Sequence, residues 1–465
     1  METILKCVEC GKRYNYDIRL KLCENCGSGL TIEVKDLDMF EYYSDAKGLW
    51  KFSKILPEVN EEAKISLGEG NTHLHKGQRV GRELNVELWF KDETTEPTGS
   101  YLDRSSALFI SKILSLGFKE VNVYSMGNLG ASLSAYAARA GIKSRVYINF
   151  EIDVGKLYQM ISYGSEVKVN KQSNGFKRID GIYAIEYDPL INEAKKTIAW
   201  EIMLQMMEAP EYIILPMGEG GLAYHTYKAL MEMERFNMIR KRRPRIIGVQ
   251  PSGCAPIVKA FERGWNHIEV EESKTSIFDL NVPNPKYGKA ALKAIRETRG
   301  LAVSIEESEA RKALIELARN EGILTEPAAS LTIAALKKLL NMREIEGGSR
   351  IVCVLTGSGL KDPRILREIA ILSPEIGGIV KDFSGRYIGD TKLAIMKILL
   401  DREMYGYQIW KELKDKYGIR LRIPTLYQHL SELVGEGYIR KMKMEKILGR
   451  RREYYILTEK GKKLV

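Results

Sequence analysis

The middle of the chain, residues 36–372, alternates short β-branched runs with amphipathic stretches of helical period. The run VNVYS (121–125) precedes ASLSAYAARA (131–140), and YIILP (212–216) precedes LAYHTYKALMEMERF (222–236). Strands that alternate with helices form βαβ units around a parallel sheet. The pattern therefore predicts an α/β fold for most of the 465 residues.

Glycine-rich turns follow several of the predicted strands. They read MGNLG (126–130), MGEGG (217–221) and TGSG (356–359). In open α/β sheets, ligands bind at the carboxyl ends of the strands. We therefore expect a ligand pocket at this edge of the sheet.

The sequence contains neither a membrane span nor a signal peptide that we can identify. No run reaches the roughly 18 apolar residues that a spanning helix needs. The opening METILKCVECGKRYNY lacks the apolar core of a secretory signal. We expect a cytoplasmic protein with no membrane partner.

Four of the six cysteines lie near the start, as Cys7-x-x-Cys10 and Cys23-x-x-Cys26. Each pair can place two thiolates on one tetrahedral ion through a tight turn. Four thiolates suit zinc, and a closed site of this kind leaves no open position for chemistry. Residues 1–35 are therefore predicted to form a zinc ribbon with a structural zinc ion.

The net charge of +11 is concentrated at one end of the chain. Residues 381–465 carry 20 Lys and Arg against 11 Asp and Glu, whereas the first 380 residues have a net charge of only +2. A localised basic module is typical of nucleic-acid binding, although a basic face exposed to solvent gives the same charge.

Residues 1–372 resemble threonine synthase, a pyridoxal-phosphate (PLP) enzyme of the tryptophan-synthase-β fold, also called PLP fold type II. Some members of that family also begin with a zinc ribbon. The resemblance implies a two-lobed, parallel-sheet body over residues 36–372. It rests on segments that follow the family order: LGEGNTHL (67–74), KDETTEPTGSYLDR (91–104), SMGNLGASLSAYAARAGI (125–142), GKLYQMISYG (155–164), KTIAWEI (196–202), PMGEGGLAYHTYKAL (216–230), GVQPSGCAPIVKAFERG (248–264), EGILTEPAASLTIAALKKL (321–339) and VLTGSGLKDP (354–363).

The position that the family uses for catalysis is changed in this chain. By resemblance, Leu102 stands where the family has the lysine that forms a Schiff base with PLP. Leucine has no nitrogen, while the following Asp103 and Arg104 keep the register of the segment. Lys91 is near in sequence but does not stand at that position. The resemblance therefore implies a pseudo-enzyme with no catalytic residues, in which PLP binds at most noncovalently.

Two further changes add carboxylates. Family members generally read Gly-Asn-Gly-Gly in the loop whose amides hold the phosphate, and this chain reads Gly-Glu-Gly-Gly with Glu219. A carboxylate beside a phosphate is repulsive, unless Glu219 points outward. Glu96 likewise replaces a usual asparagine. Both changes suggest a ligand with a cationic group, such as a free amino acid or an amine.

Other pocket groups of the family are retained. By resemblance, Asn128 faces the cofactor ring and Thr356 lies near its pyridine nitrogen. These groups are either inherited turn residues with nothing left to bind or, as we favour, a retained pocket with a new ligand. The predicted ligand pocket consists of Thr72, Thr98, Ser100, Ser125, Asn128, Gly218, Glu219, Gly220, Gly221, Thr356 and Ser358.

The last part of the chain resembles the PadR-type winged helix. We place a linker at residues 373–389 and the winged-helix domain at residues 390–465. The resemblance rests on TKLAIMKILL (391–400), MYGYQIWKELKDKYG (404–418), IPTLYQHLSELVGEGYI (423–439) and GRRREYYILTEKGKKL (449–464).

The third helix and the hairpin of this module carry the predicted DNA contacts. Leu426, Leu430 and Leu433 have helical spacing and would face the core. Polar neighbours on the same helix suit base edges and phosphates in a major groove. Arginines on a hairpin turn suit phosphates or the minor groove, and a solubilising turn is the alternative. The predicted DNA-binding residues are Thr425, Tyr427, Gln428, His429, Arg450, Arg451 and Arg452.

Together these features predict a ligand-responsive transcription regulator that binds double-stranded DNA and senses a small-molecule effector. PadR-type proteins often dimerise through a further helix beyond the wing, and this sequence stops at Val465. We therefore expect a homodimer formed through the threonine-synthase-like body. The alternatives are a PLP-dependent enzyme with an autoregulatory DNA-binding domain, a regulator that senses noncovalent PLP, and a scaffold whose body supplies only dimerisation.

Overall fold

A computed structural model describes most of the chain and divides it into two compact units, Met1–Leu366 and Arg367–Val465. The predicted linker at 373–389 lies outside the described residues. Within the part of the chain that the structure describes, we find no helix with the length and apolar character needed to cross a membrane. The described residues are 3–34, 46, 48–125, 127–148, 152–169, 181–206, 208–239, 242–371, 390–400, 402–417, 419, 421–447 and 450–462.

The described residues up to Ile371 form thirteen labelled strands and twelve labelled helices, of which the last helix begins in the first unit and ends in the second. The strands are β1 Thr3–Cys7, β2 Arg13–Asn15, β3 Leu30–Val34, β4 Leu74–Lys76, β5 Glu87–Asp92, β6 Glu120–Tyr124, β7 Lys143–Ile148, β8 Glu166–Val169, β9 Tyr183–Ile185, β10 Tyr212–Pro216, β11 Arg245–Pro251, β12 Leu301–Ile305 and β13 Arg350–Leu355. The helices are α1 Arg79–Glu83, α2 Leu102–Ser115, α3 Asn128–Ala140, α4 Val154–Ser162, α5 Pro189–Ala194, α6 Lys196–Gln205, α7 Gly221–Arg235, α8 Pro256–Glu262, α9 Gly288–Glu297, α10 Glu307–Glu321, α11 Pro327–Asn341 and α12 Pro363–Ile371. Short 3₁₀ helices lie at Gly48–Phe52, Glu61–Ala63, Glu93–Thr95, Phe278–Leu280 and Gly359–Lys361.

Two parallel sheets form the two lobes of the body, as the sequence predicts. One has the order β8-β7-β6-β9 and the other β12-β11-β10-β13-β5-β4, with β4 as an antiparallel edge. Ile213, Ile214 and Leu215 on β10 are all fully buried. Helices on both faces of a parallel sheet explain why this strand is apolar without alternation.

The N-terminal ribbon is a small antiparallel sheet of order β2-β1-β3. Gly11 and Gly27 follow the two cysteine pairs with φ of +72° each. That left-handed backbone favours glycine and lets each turn fold back on its own cysteines.

The second unit has the winged-helix order of helices and strands. Its elements are helices α13 Asp390–Ile398, α14 Gly406–Tyr417, α15 Ile423–Gly435 and α16 Glu459–Lys462, and strands β14 Met404–Tyr405, β15 Ile439–Ile447 and β16 Arg450–Leu457. Leu426, Leu430 and Leu433 of α15 are fully buried, as their spacing predicts. Strands β15 and β16 form the antiparallel hairpin of the wing.

Candidate functional site

A cavity of about 430 Å³ lies where both sheets of the body end. Tyr124 and Ser125 reach it from the end of β6, the loop at Pro216–Gly221 reaches it from β10, and Thr356 reaches it from β13. The three glycine-rich turns of the sequence thus contribute to one cavity. Its volume is in the range that small-molecule sites occupy.

Seven of the eleven predicted pocket residues line this cavity, namely Ser125, Asn128, Gly218, Glu219, Gly220, Gly221 and Thr356. The other four do not line it. The Thr72 hydroxyl donates to Glu93 at 2.6 Å, and the Thr98 hydroxyl donates to Asp103 at 2.6 Å. Ser100 pairs with the backbone of Gly357.

Ser358, the fourth residue outside the lining, begins the short helix at Gly359–Lys361. Its hydroxyl accepts a hydrogen bond from the Leu360 amide at 3.4 Å, and its own amide donates to the Gly99 carbonyl at 2.9 Å. Like Thr98 and Ser100, it ties together the loops behind the cavity wall.

Leu102 lies in the cavity wall as the first residue of α2, with only 4% of its surface exposed. The preceding residue fixes this position, because the Tyr101 amide donates to the Thr356 carbonyl at 3.1 Å. An aliphatic side chain here has no amine with which to hold an aldehyde cofactor.

Lys91 is held in a buried ion cluster rather than in the cavity. Its ammonium lies 2.6 Å from Glu201 and donates to the Thr72 carbonyl at 2.9 Å. The guanidinium of Arg104 contacts Glu93 at 2.7 Å and Glu201 at 2.6 Å. We call Lys91, Glu93, Glu96, Arg104 and Glu201 the Arg104 cluster.

Glu96 belongs to the Arg104 cluster, so the interpretation of Glu96 as a pocket carboxylate is wrong. It lies 3.1 Å from Arg104 and accepts the amide of Gly70 at 3.1 Å. Burial raises the pKa of Glu96 well above its usual value, although Arg104 opposes this. Three carboxylates share two cations here, which favours the protonated form of one of them.

Glu219 does line the cavity. Its carboxylate accepts the backbone amide of Lys286 at 2.8 Å. Burial raises its pKa to about 7. The residue precedes Gly220, which has φ of +85°, and Gly221, where a Cβ would lie 1.9 Å from the Asn192 side chain.

The residues present do not fit pyridoxal phosphate held in the manner that the resemblance implies. Leu102 cannot form the covalent bond to the aldehyde. Glu219 places a titratable carboxylate in the glycine loop, where a phosphate dianion would meet it. The backbone amides of the loop can still bind an anion, but the carboxylate of Glu219 repels one.

A second group of buried charges lines the cavity and was not identified from the sequence. The Asn128 amide donates to Glu326 at 2.9 Å, and Lys156 contacts Glu326 at 3.0 Å and Asp279 at 2.7 Å. Burial raises the pKa of Glu326 to about 7. The Asn128 Oδ1 atom has no hydrogen-bond partner among the described residues.

Lys195 also lines the cavity, between α5 and α6. It is 3% exposed, and its Nζ donates to Asn192 Oδ1 at 2.9 Å and lies 5.6 Å from the centroid of the Tyr101 ring. No described carboxylate lies within 4.0 Å of it. Burial lowers the pKa of Lys195, although Glu186 and Glu219 oppose this.

Glu186, on the same wall, accepts a hydrogen bond from the Ser125 hydroxyl at 3.1 Å. Burial raises the pKa of Glu186, which Lys195 partly opposes. The signal for Lys195 in the sequence was weak, because Lys196 follows it directly and begins helix α6.

The N-terminal ribbon packs against the loop at Lys286 and Tyr287, which is hydrogen-bonded to Glu219. The Gly29 amide donates to the Lys286 carbonyl at 3.0 Å, while the Lys286 amide donates to Glu219. The Tyr287 hydroxyl donates to the Leu30 carbonyl. A Cβ at Gly29 would lie 2.8 Å from the Tyr287 ring, so only glycine allows this close approach.

The four predicted metal ligands converge. The sulfur atoms of Cys7, Cys10, Cys23 and Cys26 all lie within 4.8 Å of one another. The amides of Glu9 and Cys10 each point to the Cys7 sulfur at 3.4 Å. Four thiolates in this arrangement fit a tetrahedral ion such as zinc.

The predicted DNA-contacting residues of helix α15 differ in how far they are exposed to solvent. Tyr427 is 46% exposed and Gln428 is exposed, with a hydrogen bond to Glu432 at 3.0 Å. Thr425 and His429 are partly buried, and His429 lies 3.6 Å from Glu432. Tyr427 and Gln428 are therefore the better candidates for base contacts.

Arg450, Arg451 and Arg452 are the first residues of β16 rather than residues of the turn itself. The Arg452 guanidinium lies 4.6 Å from the centroid of the Tyr405 ring. The side chains of Arg450 and Arg451 are outside the part of the chain that the structure describes. The sequence predicted a turn here because glycine precedes the three arginines, but pairing with β15 continues up to Arg450.

Comparison with known proteins defines the class of protein. Residues 65–357 match the family model for pyridoxal-phosphate-dependent enzymes, and residues 395–465 match that of the PadR-like transcriptional regulators. The chain belongs to the pyridoxal-phosphate-dependent enzyme family and joins such a body to a PadR-like domain.

Similar proteins within that family include threonine synthases. The chain is 35% identical to the threonine synthase of Methanocaldococcus jannaschii over 378 residues, which is 77% of this chain and 93% of that protein. It is 33% identical to that of Methanosarcina acetivorans over 384 residues, which is 78% and 94% of the two chains.

Solved structures confirm the fold of the body. Maize serine racemase matches with a TM-score of 0.55 at 16% identity, over 67% of this chain and 91% of that one. Threonine deaminase isoform 2 of Solanum lycopersicum matches with a TM-score of 0.54 at 18% identity, over 65% and 88%. At this identity the likeness concerns the fold alone.

Proposed function

We propose that this protein is a ligand-responsive transcription regulator whose body is a pseudo-enzyme. The observation that carries the proposal is the fusion of a PadR-like winged helix to a body whose cavity has Leu102 in the place of an amine. In this proposal the body binds a ligand but catalyses no reaction, and the winged helix responds by a change in its DNA binding.

The winged helix binds double-stranded DNA in this proposal. Helix α15 presents Tyr427 and Gln428 to solvent, and the wing begins with three consecutive arginines. An exposed helix face with a basic hairpin is the usual arrangement for contacting base edges and phosphates. The net charge of +9 over residues 381–465 supports the same function.

The cavity binds a small metabolite with a cationic group, and an amino acid is the first class to test. Glu219 and Glu326 both have pKa values raised to about 7 by burial, so a bound ammonium group would favour their ionised forms. Glu186 lines the same wall. A metabolite of this kind changes DNA affinity only to the extent that it binds two states of the protein unequally.

The remaining parts of the proposal follow from this function. The four cysteines hold a structural zinc ion, and the regulator is a homodimer through its body, acting in the cytoplasm. In that dimer, the body sets the spacing of two winged helices along the DNA.

The second candidate is a PLP-dependent enzyme with a fused regulatory domain. Similarity to threonine synthases over more than nine-tenths of their length favours it. Leu102 and Glu219 oppose it. Borohydride treatment of protein supplied with PLP separates the two, because an enzyme of the usual kind gives a reduced PLP adduct at a lysine of the cavity, whereas the pseudo-enzyme gives no PLP adduct at any lysine of the cavity.

DNA binding is tested with the DNA upstream of the protein's own gene, titrated over a range of salt concentrations. We expect affinity to fall steeply with salt. Arg450→Ala and Arg451→Ala should each weaken binding of all sequences similarly and reduce the salt slope by about 1. Arg243→Ala, in the other unit and ion-paired with Glu234, is the control. Absence of binding even at low salt would refute the regulator.

A further inference from the structure

The cavity contains an amine that the change at position 102 does not remove. Lys195 enters from the junction of α5 and α6, and its Nζ lies 5.6 Å from the ring centroid of Tyr101, the residue directly before Leu102. The amine therefore lines the same cavity as Leu102, but it comes from a different part of the chain.

We infer that Lys195 binds a carbonyl-bearing ligand covalently, as a reversible imine. The inference rests on the proposed use of the cavity as a ligand site, but it assigns a class of ligand other than an amino acid, namely an aldehyde or ketone without a phosphate group.

The hydrogen bonding of Lys195 differs from that of a structural lysine. Its Nζ has one hydrogen bond, to Asn192 Oδ1 at 2.9 Å, and no carboxylate within 4.0 Å among the described residues. Its neighbour Lys196 is equally buried but contacts Glu193 at 2.7 Å and Glu232 at 2.9 Å. Lys156, also in the cavity, contacts Asp279 and Glu326. Only Lys195 of these three is left without an ion pair.

A lysine without an ion pair in a buried position readily loses its proton, and the neutral amine is the nucleophile. Burial lowers the pKa of Lys195, and so raises the fraction of neutral amine at neutral pH. The groups facing it are Glu186 and Glu219 from the cavity walls, Asn192 from its own helix, and the Tyr101 ring.

The step balances without any other reagent. The Lys195 nitrogen adds to the carbonyl carbon, the carbonyl oxygen takes up two protons, and it leaves as water when the C=N bond forms. One amine and one carbonyl give one imine and one water, and nothing is oxidised or reduced. Glu219, with a pKa of about 7, can donate a proton to the departing hydroxyl and take one back.

The absence of a phosphate group from the ligand follows from the glycine loop. Glu219 stands in that loop and lines the same cavity as Lys195, so a phosphate in the loop would meet a carboxylate. An uncharged or ammonium-bearing carbonyl compound meets no such repulsion.

The test is reductive trapping on the zinc-loaded, full-length protein. The protein is incubated with cyanoborohydride and one of three probes, namely pyridoxal, butanal or pyridoxal 5′-phosphate, and the modified lysines are mapped by mass spectrometry. We expect at least one probe without phosphate to label Lys195 on the order of tenfold faster than Lys196, because the Lys196 ammonium is ion-paired with Glu193 and Glu232 and the Lys195 amine is not.

Three variants complete the test. Lys195→Arg should lose the rapid labelling, Lys156→Arg should keep it, and Leu102→Lys should add a second labelled position. The wild-type comparison of Lys195 with Lys196 does not depend on the folding of any variant. Labelling spread over exposed lysines, or rapid labelling at Lys156 in place of Lys195, would overturn the inference.

The outcome is separable from that of the proposed function. Labelling at Lys195 without any effect on DNA binding would retain the covalent site and reject the sensor. A change in DNA affinity caused by an amine without a carbonyl, in a protein whose Lys195 is not labelled, would retain the sensor and reject the covalent site.

Discussion

The Arg104 cluster and the cavity lie in the same unit, and both bury lysines among carboxylates, yet they differ in how those charges are paired. In the Arg104 cluster each cation is in direct contact with at least one carboxylate, as for Lys91 with Glu201 at 2.6 Å. In the cavity, Lys195 has no such contact and Asn128 Oδ1 has no partner among the described residues. Charges that are fully paired hold loops together, whereas charges that are left partly unpaired are available to a ligand.

The comparison predicts effects of different size on stability when the side chains of Arg104 and Lys195 are each replaced by methionine. Arg104→Met leaves three buried carboxylates around an empty position and should lower the free energy of unfolding of the body by about 3–5 kcal/mol. Lys195→Met removes a buried amine that has no ion pair with a described residue and should change the free energy of unfolding by less than about 1 kcal/mol. Urea unfolding measures both. A loss for Lys195→Met as large as that for Arg104→Met would show that Lys195 is structural.

The raised pKa of Glu219 predicts how stability depends on pH. Because the folded protein keeps a proton that the unfolded chain releases above about 4.5, stability should fall as pH rises from about 4.5 to about 7 and then level off. Glu219→Gln should remove about 1–3 kcal/mol of this fall between pH 5 and pH 8. Unfolding measured across that range checks it, with exposed Glu62→Gln as the control. An unchanged pH profile in Glu219→Gln would contradict the position of Glu219 in the cavity wall.

Removal of zinc should loosen the cavity but not the Arg104 cluster. Gly29 bonds to Lys286, and Lys286 bonds to Glu219, so loss of the ribbon removes one support of the glycine loop. We expect chelation to speed hydrogen exchange by about tenfold or less in residues 216–222 and 283–289, and not around Arg104 in α2. Exchange that rises only in residues 3–34 would show that the ribbon is independent of the cavity.

The division into an α/β body and a winged helix was predictable from the sequence, because both rest on local periodicity and on motifs in a fixed order. The position of Glu96 was not predictable in this way. Its environment is formed by Arg104 and by Gly70, which the fold brings together from separate loops. The sequence alone does not show whether a carboxylate introduced by substitution lies in a cavity or in an ion cluster.

Lys195 is a second residue whose environment could not be predicted from the sequence. Lys195 and Lys196 are adjacent, and neighbouring residues on a helical backbone point about 100° apart. One therefore reaches Glu193 and Glu232 while the other reaches the cavity wall. The composition of the sequence cannot separate them, since the distinction depends on where α7 and the glycine loop pack.

The central claim is that ligand binding in the cavity is coupled to DNA binding by the winged helix. The most direct measurement is fluorescence anisotropy of the upstream DNA, titrated with protein in the presence and absence of each compound that raises the melting temperature of the body in a screen of amino acids and small carbonyl compounds. We predict that at least one such compound changes the DNA dissociation constant by about 5–150-fold, and that saturating DNA changes the compound's affinity by the same factor. Compounds that stabilise the body and leave the DNA dissociation constant unchanged would contradict the account.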